Sequence, residues 1–561
     1  MNSPDCNPDR NAAIWYAEDG YDPEKKGING RRVAGASFLK GFLDHADVSE
    51  VVSMTTGSNR GDTFGEMVAN HPRALRHRAV YQQAAEQIAP VGCMYYPSPN
   101  YAEYAFIRQA FGAAAYSICG ITHTTATQAV MRGLYDLRAA PQMEWDAVIC
   151  TSRAVHASTL RNIEIADEAL RERFGSLPPR PQMPIIPLGV TTADYAFDEA
   201  ARASLRGRMG WEENDIVVAT LSRLLPYGKF DPAPVFIALQ NAQEALGNKR
   251  KLHFLACGIY ADDHSRIVFE GCARALMPDV SFTHLDGADA TARRETLSGC
   301  DIFAFLVDNI QETFGLAPIE AMAAGRPLIV SDWDGMRDTV SRDVGIRIPT
   351  MTIGAQASMP EAKGYLTGAH SYPQYTGRLS SVTSIDIRAM SESFVALAKS
   401  KEKRHKMGTL GEKRARTLYD WSVIIPQMQD LWAELASIRR YSSTDAPRCS
   451  PVGPLPMDLF SSYPGSEAPR STDLFVTGKS KHTVAEIFKL RRLAAVGNPF
   501  EKQNIVEQIY GTIKAAGQRG ISIDGIASRN HLNRLTVERC VLFLLKFSLI
   551  VPGPKNNPCL K

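Results

Sequence analysis

Short apolar runs recur along this chain, and stretches of helical periodicity separate them. The first run is Ala12-Ala13-Ile14-Trp15-Tyr16, and a helical pattern from Val33 to Phe42 follows it. Later runs are Ala115–Ile121, Trp145–Cys150, Ile216–Leu221, Leu252–Gly258, Val280–Leu285, Cys300–Leu306 and Leu328–Val330. They lack the strict apolar–polar alternation of a strand with one wet face, so they read as strands buried on both faces. Strands alternating with helical stretches predict parallel, doubly wound α/β sheets. A break in the pattern separates two such units. Met183-Pro184-Ile185-Ile186-Pro187-Leu188-Gly189-Val190 reads as a short strand and a turn that closes the first, and the second opens at Ile216.

The pattern weakens further along. Residues 350–385 are rich in Gly, Ser, Thr and Tyr and read as an irregular insertion. Helical periodicity returns from Arg388 to Trp432. Residues 441–480 hold six prolines and eight serines with little periodicity, which is the composition of a linker. Beyond it, residues 500–518, 521–527 and 533–549 read as three short helices. The expected division is therefore 1–195, 196–440, a linker over 441–480, and a terminal module over 481–561.

A chain of 561 residues is too long for one core, which agrees with several domains. Apolar content of 44% and charged content of 22% are those of an ordinary globular protein. No apolar run reaches the length of a membrane span, and Met1-Asn2-Ser3-Pro4-Asp5 does not open a signal peptide. The ten cysteines are scattered, with no C-x2-C pair and no metal-ligand spacing, so a reducing, cytoplasmic setting is expected. The net charge of +3 conceals an asymmetry. Residues 481–561 carry thirteen Lys/Arg against five Asp/Glu, so the excess of base lies in the terminal module.

Candidate chemistry clusters at the ends of the predicted strands, where open parallel sheets bind ligands. Glu312-Thr313-Phe314-Gly315-Leu316-Ala317-Pro318-Ile319-Glu320 sets two carboxylates around a glycine turn that opens a helix. Backbone N–H groups at such a corner, with the helix dipole behind them, suit a phosphate. After Ile216–Leu221 come Arg223 and, after Pro226-Tyr227-Gly228, Lys229. A planar guanidinium and a point-charge ammonium make a useful pair for two adjacent phosphates. His123 stands just past the strand ending at Ile121. Its position admits both a structural and a functional reading. Gly27 and Gly30 lie in a loop between the first strand and the first helix, which is not a G-x-G-x-x-G.

The E-x7-E spacing with Phe314-Gly315 inside it and Ala324-Gly325-Arg326-Pro327 behind it resembles the motif of retaining nucleotide-sugar glycosyltransferases with the GT-B fold. These belong to glycosyltransferase family 4, the glycosyl transferases group 1. Residues 10–435 follow that family's order of elements, including Trp145–Arg153 and Leu418-Tyr419-Asp420-Trp421. The resemblance implies a GT-B fold of two Rossmann-like domains, with the acceptor domain first and the donor domain second. It implies transfer of a hexose-type sugar from a UDP-, GDP- or other nucleotide-diphosphate sugar, with retention and without a metal or other cofactor. It assigns Arg223 and Lys229 to the leaving pyrophosphate, Glu312 and His123 to the donor sugar, and Glu320 to ribose hydroxyls. Thr313, Phe314, Gly315 and Leu316 would offer the helix N-terminus, and Gly27 and Gly30 would let backbone approach the donor phosphate. The family's usual acid after the histidine is Thr124 here.

The acceptor is not specified by these residues. Tyr95, Tyr96, Tyr101 and Tyr104 form an aromatic group in the first domain that either binds a sugar chain or packs the core. The terminal helices resemble a winged helix-turn-helix, with Arg534, Arg539 and Lys546 available to nucleic acid. Docking of a protein partner is the equal alternative, and peripheral membrane contact stays open. A rival to the enzyme reading is an inactive GT-B scaffold that regulates through this basic module.

Overall fold

The computed structural model describes residues 7–21, 30–56, 60–442, 448–466, 468–491 and 501–553. Chain packing divides the protein into two compact units, Met1–Pro454 and Leu455–Lys561.

The larger unit holds two parallel sheets of six strands each. The first is built from β1 (Ala13–Trp15), β2 (Glu50–Thr55), β3 (Arg76–Tyr81), β4 (Cys93–Tyr96), β5 (Ser117–Ile121) and β6 (Ala147–Ile149), in the order β3-β2-β1-β4-β5-β6. The second comprises β7 (Ile216–Leu221), β8 (Leu252–Gly258), β9 (Ser281–Asp286), β10 (Ile302–Phe305), β11 (Leu328–Ser331) and β12 (Gly345–Ile348), in the order β12-β11-β10-β7-β8-β9. Both orders are the doubly wound Rossmann order, in which the chain starts mid-sheet and reverses direction between two central strands. A short antiparallel pair, β13 (Thr350–Met351) and β14 (Ser384–Ile385), follows the second sheet. The α/β class and the two Rossmann-like domains of a GT-B fold are therefore present, with a small helical domain at the C-terminus.

The apolar runs form strands because helices cover both faces of each sheet. β7 and β8 are buried along their whole length. The helix Gly30–His45 lays Ala34, Phe38, Leu39, Phe42 and Leu43 on the first sheet, a stripe of helical period.

Two expectations change here. Met183–Val190 forms no strand. It makes isolated bridges, Cys150 with Ile185 and Val190 with Asp420, because its prolines remove ladder donors. The helix Trp421–Arg440, expected in the second domain, packs on the first sheet. Trp421, Ile424, Met428 and Trp432 join Phe38 and Phe42 in one core cluster. Its crossing is fixed at Asp420, whose carboxylate accepts from the Thr192 N–H at 3.0 Å, and by Trp421, whose indole donates to Ser37 Oγ at 2.8 Å. A Cβ on Gly41 or Gly189 would come within 2.3 and 2.5 Å of the Trp421 ring, so both positions are left bare for it.

The smaller unit contains the helices Val484–Arg491, Gln503–Ala516, Ile523–Asn530 and Arg534–Lys546. They surround a core that includes Val506, Ile509, Ile526, Val541 and Leu544. Its three-stranded antiparallel sheet has β15 (Leu474–Thr477) in the middle, between β16 (Ile521–Ser522) and β17 (Ile550–Pro552). The expected 441–480 linker therefore ends in a strand of this unit, which begins before residue 481. Four strand residues in a Pro/Ser-rich context give too little pattern to be seen in sequence.

Candidate active site

The chain order of the second sheet reverses between β7 and β10, which pair in parallel. Two loops leave the carboxyl ends of these neighbours. The β7 loop carries Arg223 and Lys229, and the β10 loop carries Glu312. This crevice is where open α/β sheets take ligands, and it gathers residues far apart in the chain.

Lys229 Nζ and Glu312 Oε2 form an ion pair, with side chains 20% and 12% exposed. The other Glu312 oxygen accepts the Gly315 N–H at 3.0 Å. Burial works against this charge, but Lys229 and the N–H groups of Gly315 and Phe314 outweigh it and hold the carboxyl below its ordinary range. Lys229 also lies 6.0 Å from the centre of the Phe305 ring. The lysine is thus tied to the acid rather than free.

Arg223 differs. It is half-buried, and among the described residues its guanidinium has no hydrogen-bond or ion-pair partner. A planar donor fork left open in a crevice is suited to a planar or tetrahedral anion.

The helix Leu316–Ala323 starts from Gly315, which has φ +79°. Only glycine adopts that conformation easily, and a Cβ there would also stand 2.9 Å from Met336 Sδ. Phe314 is buried, and Gly335 presses on it so closely that a Cβ would lie 2.5 Å from Phe314 Cα. These contacts set the helix N-terminus against the crevice. Leu316 is half-buried beside it.

Glu320 sits one turn into that helix. Burial raises its carboxyl to about 7, and the Tyr195 hydroxyl and Arg293 hold it from rising further. The proximity of Glu320, with burial added, pushes the Tyr195 phenol up in turn. Tyr195, just outside the motif, has no sequence signal of its own and is brought in only by the fold.

The first domain meets this corner directly. The Thr313 hydroxyl donates to the His123 carbonyl, and Ser152 Oγ donates to the Thr313 carbonyl at 3.3 Å. His123 is therefore brought to the motif, with its backbone in contact. It also lines a small apolar cavity with Phe38, Tyr95, Leu188 and Trp421. Asp334, after β11, lies 3.4 Å from Ser152 Oγ. Burial and the neighbouring Glu312 raise its carboxyl to about 8. Gly27 lies outside the described residues, and Gly30 is the first residue of the helix Gly30–His45.

The tyrosine group resolves to packing. Tyr95, Tyr101 and Tyr104 are buried, and the Tyr104 hydroxyl accepts the Trp15 indole at 2.7 Å. Among the described residues no group of three His, Cys, Asp or Glu side chains is placed to hold a metal ion. None of the described helices is long and apolar enough to cross a membrane.

The geometry is a crevice with a paired and an unpaired cation, a helix N-terminus and two acids. Residues 202–357, which contain it, match the family model described as Glycosyl transferases group 1. The match lies within the second sheet's domain and covers less than half of the chain. Among solved structures, the chain is similar to Anabaena HepE in complex with UDP, at 14% identity and a TM-score of 0.48, covering 75% of this chain and 100% of that one. It is also similar to sucrose-phosphate synthase from Thermosynechococcus elongatus, at 16% identity and TM-score 0.45, covering 76% and 99%. A glycosyltransferase from Rickettsia africae gives 11% identity and TM-score 0.47, covering 76% and 98%. Overlaps this loose say nothing of activity or substrate. No curated protein matches the chain.

Proposed function

We propose that the chain is a retaining glycosyltransferase of the family 4 type. It moves a hexose-type sugar from a nucleotide-diphosphate sugar to an acceptor that is a glycan, a lipid-linked sugar or a small molecule. The observation that carries this reading is the open guanidinium of Arg223 beside the Lys229–Glu312 pair, in the crevice between β7 and β10. Transfer builds negative charge on the leaving pyrophosphate. Prepositioned donors in a partly dry site stabilise that charge without reorganising. Arg223 would take one phosphate. Lys229 would share its charge between Glu312 and the second phosphate, and the Thr313–Leu316 amides would face the same group. Glu320 would accept from ribose hydroxyls, and Glu312 would touch the sugar ring. His123 would approach that ring from the first domain.

The test is donor hydrolysis across UDP-, GDP- and ADP-sugars. Turnover of one of them is expected, and it should survive excess EDTA because protein cations cover the leaving group. Failure of every donor, together with no binding of the free nucleotide diphosphates, would remove the reading. Activity lost in EDTA and restored by magnesium or manganese would remove its metal-free part.

We read the smaller unit as a winged-helix-like module. The helices Ile523–Asn530 and Arg534–Lys546 are joined through His531, which has φ +53°, in the short turn typical of a helix-turn-helix. Arg534, Arg539 and Lys546 are all exposed on the second of them. Binding of nucleic acid by this face would fall steeply with salt.

A further inference from the structure

Residues 350–385, irregular by sequence, form a built element. The antiparallel pair β13 and β14 closes its base. Between them run the helices Met359–Leu366 and Tyr372–Ser380. The second has a capping box formed by Ser371 and Gln374, with proline in its first turn, so its start is fixed locally.

This element is anchored on the two loops that form the crevice. Asn309 Nδ2 donates to the Tyr227 carbonyl at 2.9 Å and to the Thr376 carbonyl at 3.5 Å. The Ser380 hydroxyl donates to the Asp308 carboxylate. Gly377 rests on Tyr227, where a Cβ would come 3.0 Å from the tyrosine Cβ. Its other side reaches the first domain. The Gln128 N–H donates to the Tyr365 hydroxyl at 2.9 Å, and Thr124 Oγ1 lies 3.5 Å from the Tyr372 hydroxyl. Tyr365 and Tyr375 stack at 4.5 Å with an interplanar angle of 10°, and Tyr372 is 6.1 Å from Tyr365. Tyr372 is half-buried, and its hydroxyl meets the neighbour of His123 from an element seated on the phosphate loop.

We propose that the insertion is a strap that holds the first domain to the phosphate loop, and that Tyr372 is a positioning residue of the transfer site, acting through Thr124 beside His123. This rests on the donor-site reading of the crevice. The stacked tyrosines keep the two phenols in place, and the Gln128 and Thr124 contacts keep the two domains in register.

Two variants of the full chain test this, Tyr365→Phe and Tyr372→Phe, each keeping its ring. Amide hydrogen exchange at Gln128 should quicken about tenfold in Tyr365→Phe, since the acceptor of that N–H is gone. Unchanged exchange would overturn the strap. Wild-type donor hydrolysis is measured first, and if no donor turns over, the donor reading falls and the Tyr372 role falls with it. With a working donor, Tyr372→Phe should lower kcat about tenfold with KM within about twofold and an unchanged melting temperature. Full activity, or a loss carried by KM or by melting temperature, would show a structural tyrosine and overturn the positioning role.

Discussion

At the amino ends of the two sheets, one arrangement of acid and arginine occurs twice. Asp146 precedes β6, pairs with Arg108 at 2.8 Å, and accepts the Ile118 N–H of the neighbouring strand at 2.8 Å. Asp301 precedes β10, pairs with Arg202 at 2.7 Å, and accepts the Val217 N–H at 2.9 Å. Each acid fills the first gap in a ladder and is neutralised on the spot. At the carboxyl ends the sheets diverge. The second sheet carries an unpaired Arg223, a Lys229–Glu312 pair and acids displaced upward by burial. Paired charges at one edge and unpaired or perturbed ones at the other separate bracing from candidate chemistry within one fold.

The largest effect should come from breaking the shared arrangement. Asp146→Ala leaves Arg108 buried and unpaired, with both side chains at 0% exposure. A loss of about 3–5 kcal/mol is expected, read by denaturant unfolding, and donor turnover should fall only as far as folded protein is lost. A mild effect on stability would mean that the edge acids do not brace the sheets.

Arg223→Ala is the converse experiment. It should lower turnover by about two to three orders of magnitude, or roughly 3–4 kcal/mol, while the unfolding midpoint stays put. Lys229→Ala should fall in the same range and also cost stability, because Glu312 loses its partner. Wild-type turnover in both variants would take the site away from this crevice.

Glu320 gives a smaller effect that depends on pH. Its folded carboxyl titrates at about 7 against an ordinary 4.5, so the folded protein holds more protons between those values. Its contribution to stability is therefore greatest at low pH and is lost as pH rises through about 7. Nucleotide binding should move the other way, because the charged form is the better acceptor for ribose hydroxyls. Glu320→Gln should flatten both trends near pH 7. Parallel profiles for wild type and variant would show that this carboxyl does not titrate there.

The smallest effect is expected on removing the second unit. A chain ending at Pro454 keeps the clusters of both sheets and should hydrolyse donor within about twofold of the full-length rate. A large loss from a folded truncation would make that unit part of the enzyme.

Much of this was legible in the residues. β7 and β8 match their apolar runs end to end, because strands buried on both faces admit little else. The motif Glu312–Glu320 was visible because its glycine, phenylalanine and helix start answer local backbone demands. The insertion was visible but its helices were not, because they are short and bury few residues of their own. Their order comes from capping and from contacts far away in sequence. The aromatic group Tyr95–Tyr104 left two readings open, since tyrosine spacing alone does not say which side of a strand or helix faces a core.

The sequence by itself determined the two α/β units, the helix start at Gly315 and the basic charge of the last eighty residues or so. Each is a local property of propensity, backbone freedom or composition. Only the tertiary structure decided which charges are spent. Arg108 and Arg223 are the same residue type, yet one is locked to Asp146 and the other faces an open crevice. It also decided that the helix Trp421–Arg440 returns to the first domain and that Tyr372 meets Thr124. Partners separated by hundreds of positions leave no periodic trace, because what joins them is the packing of whole sheets and not the pattern of any one segment.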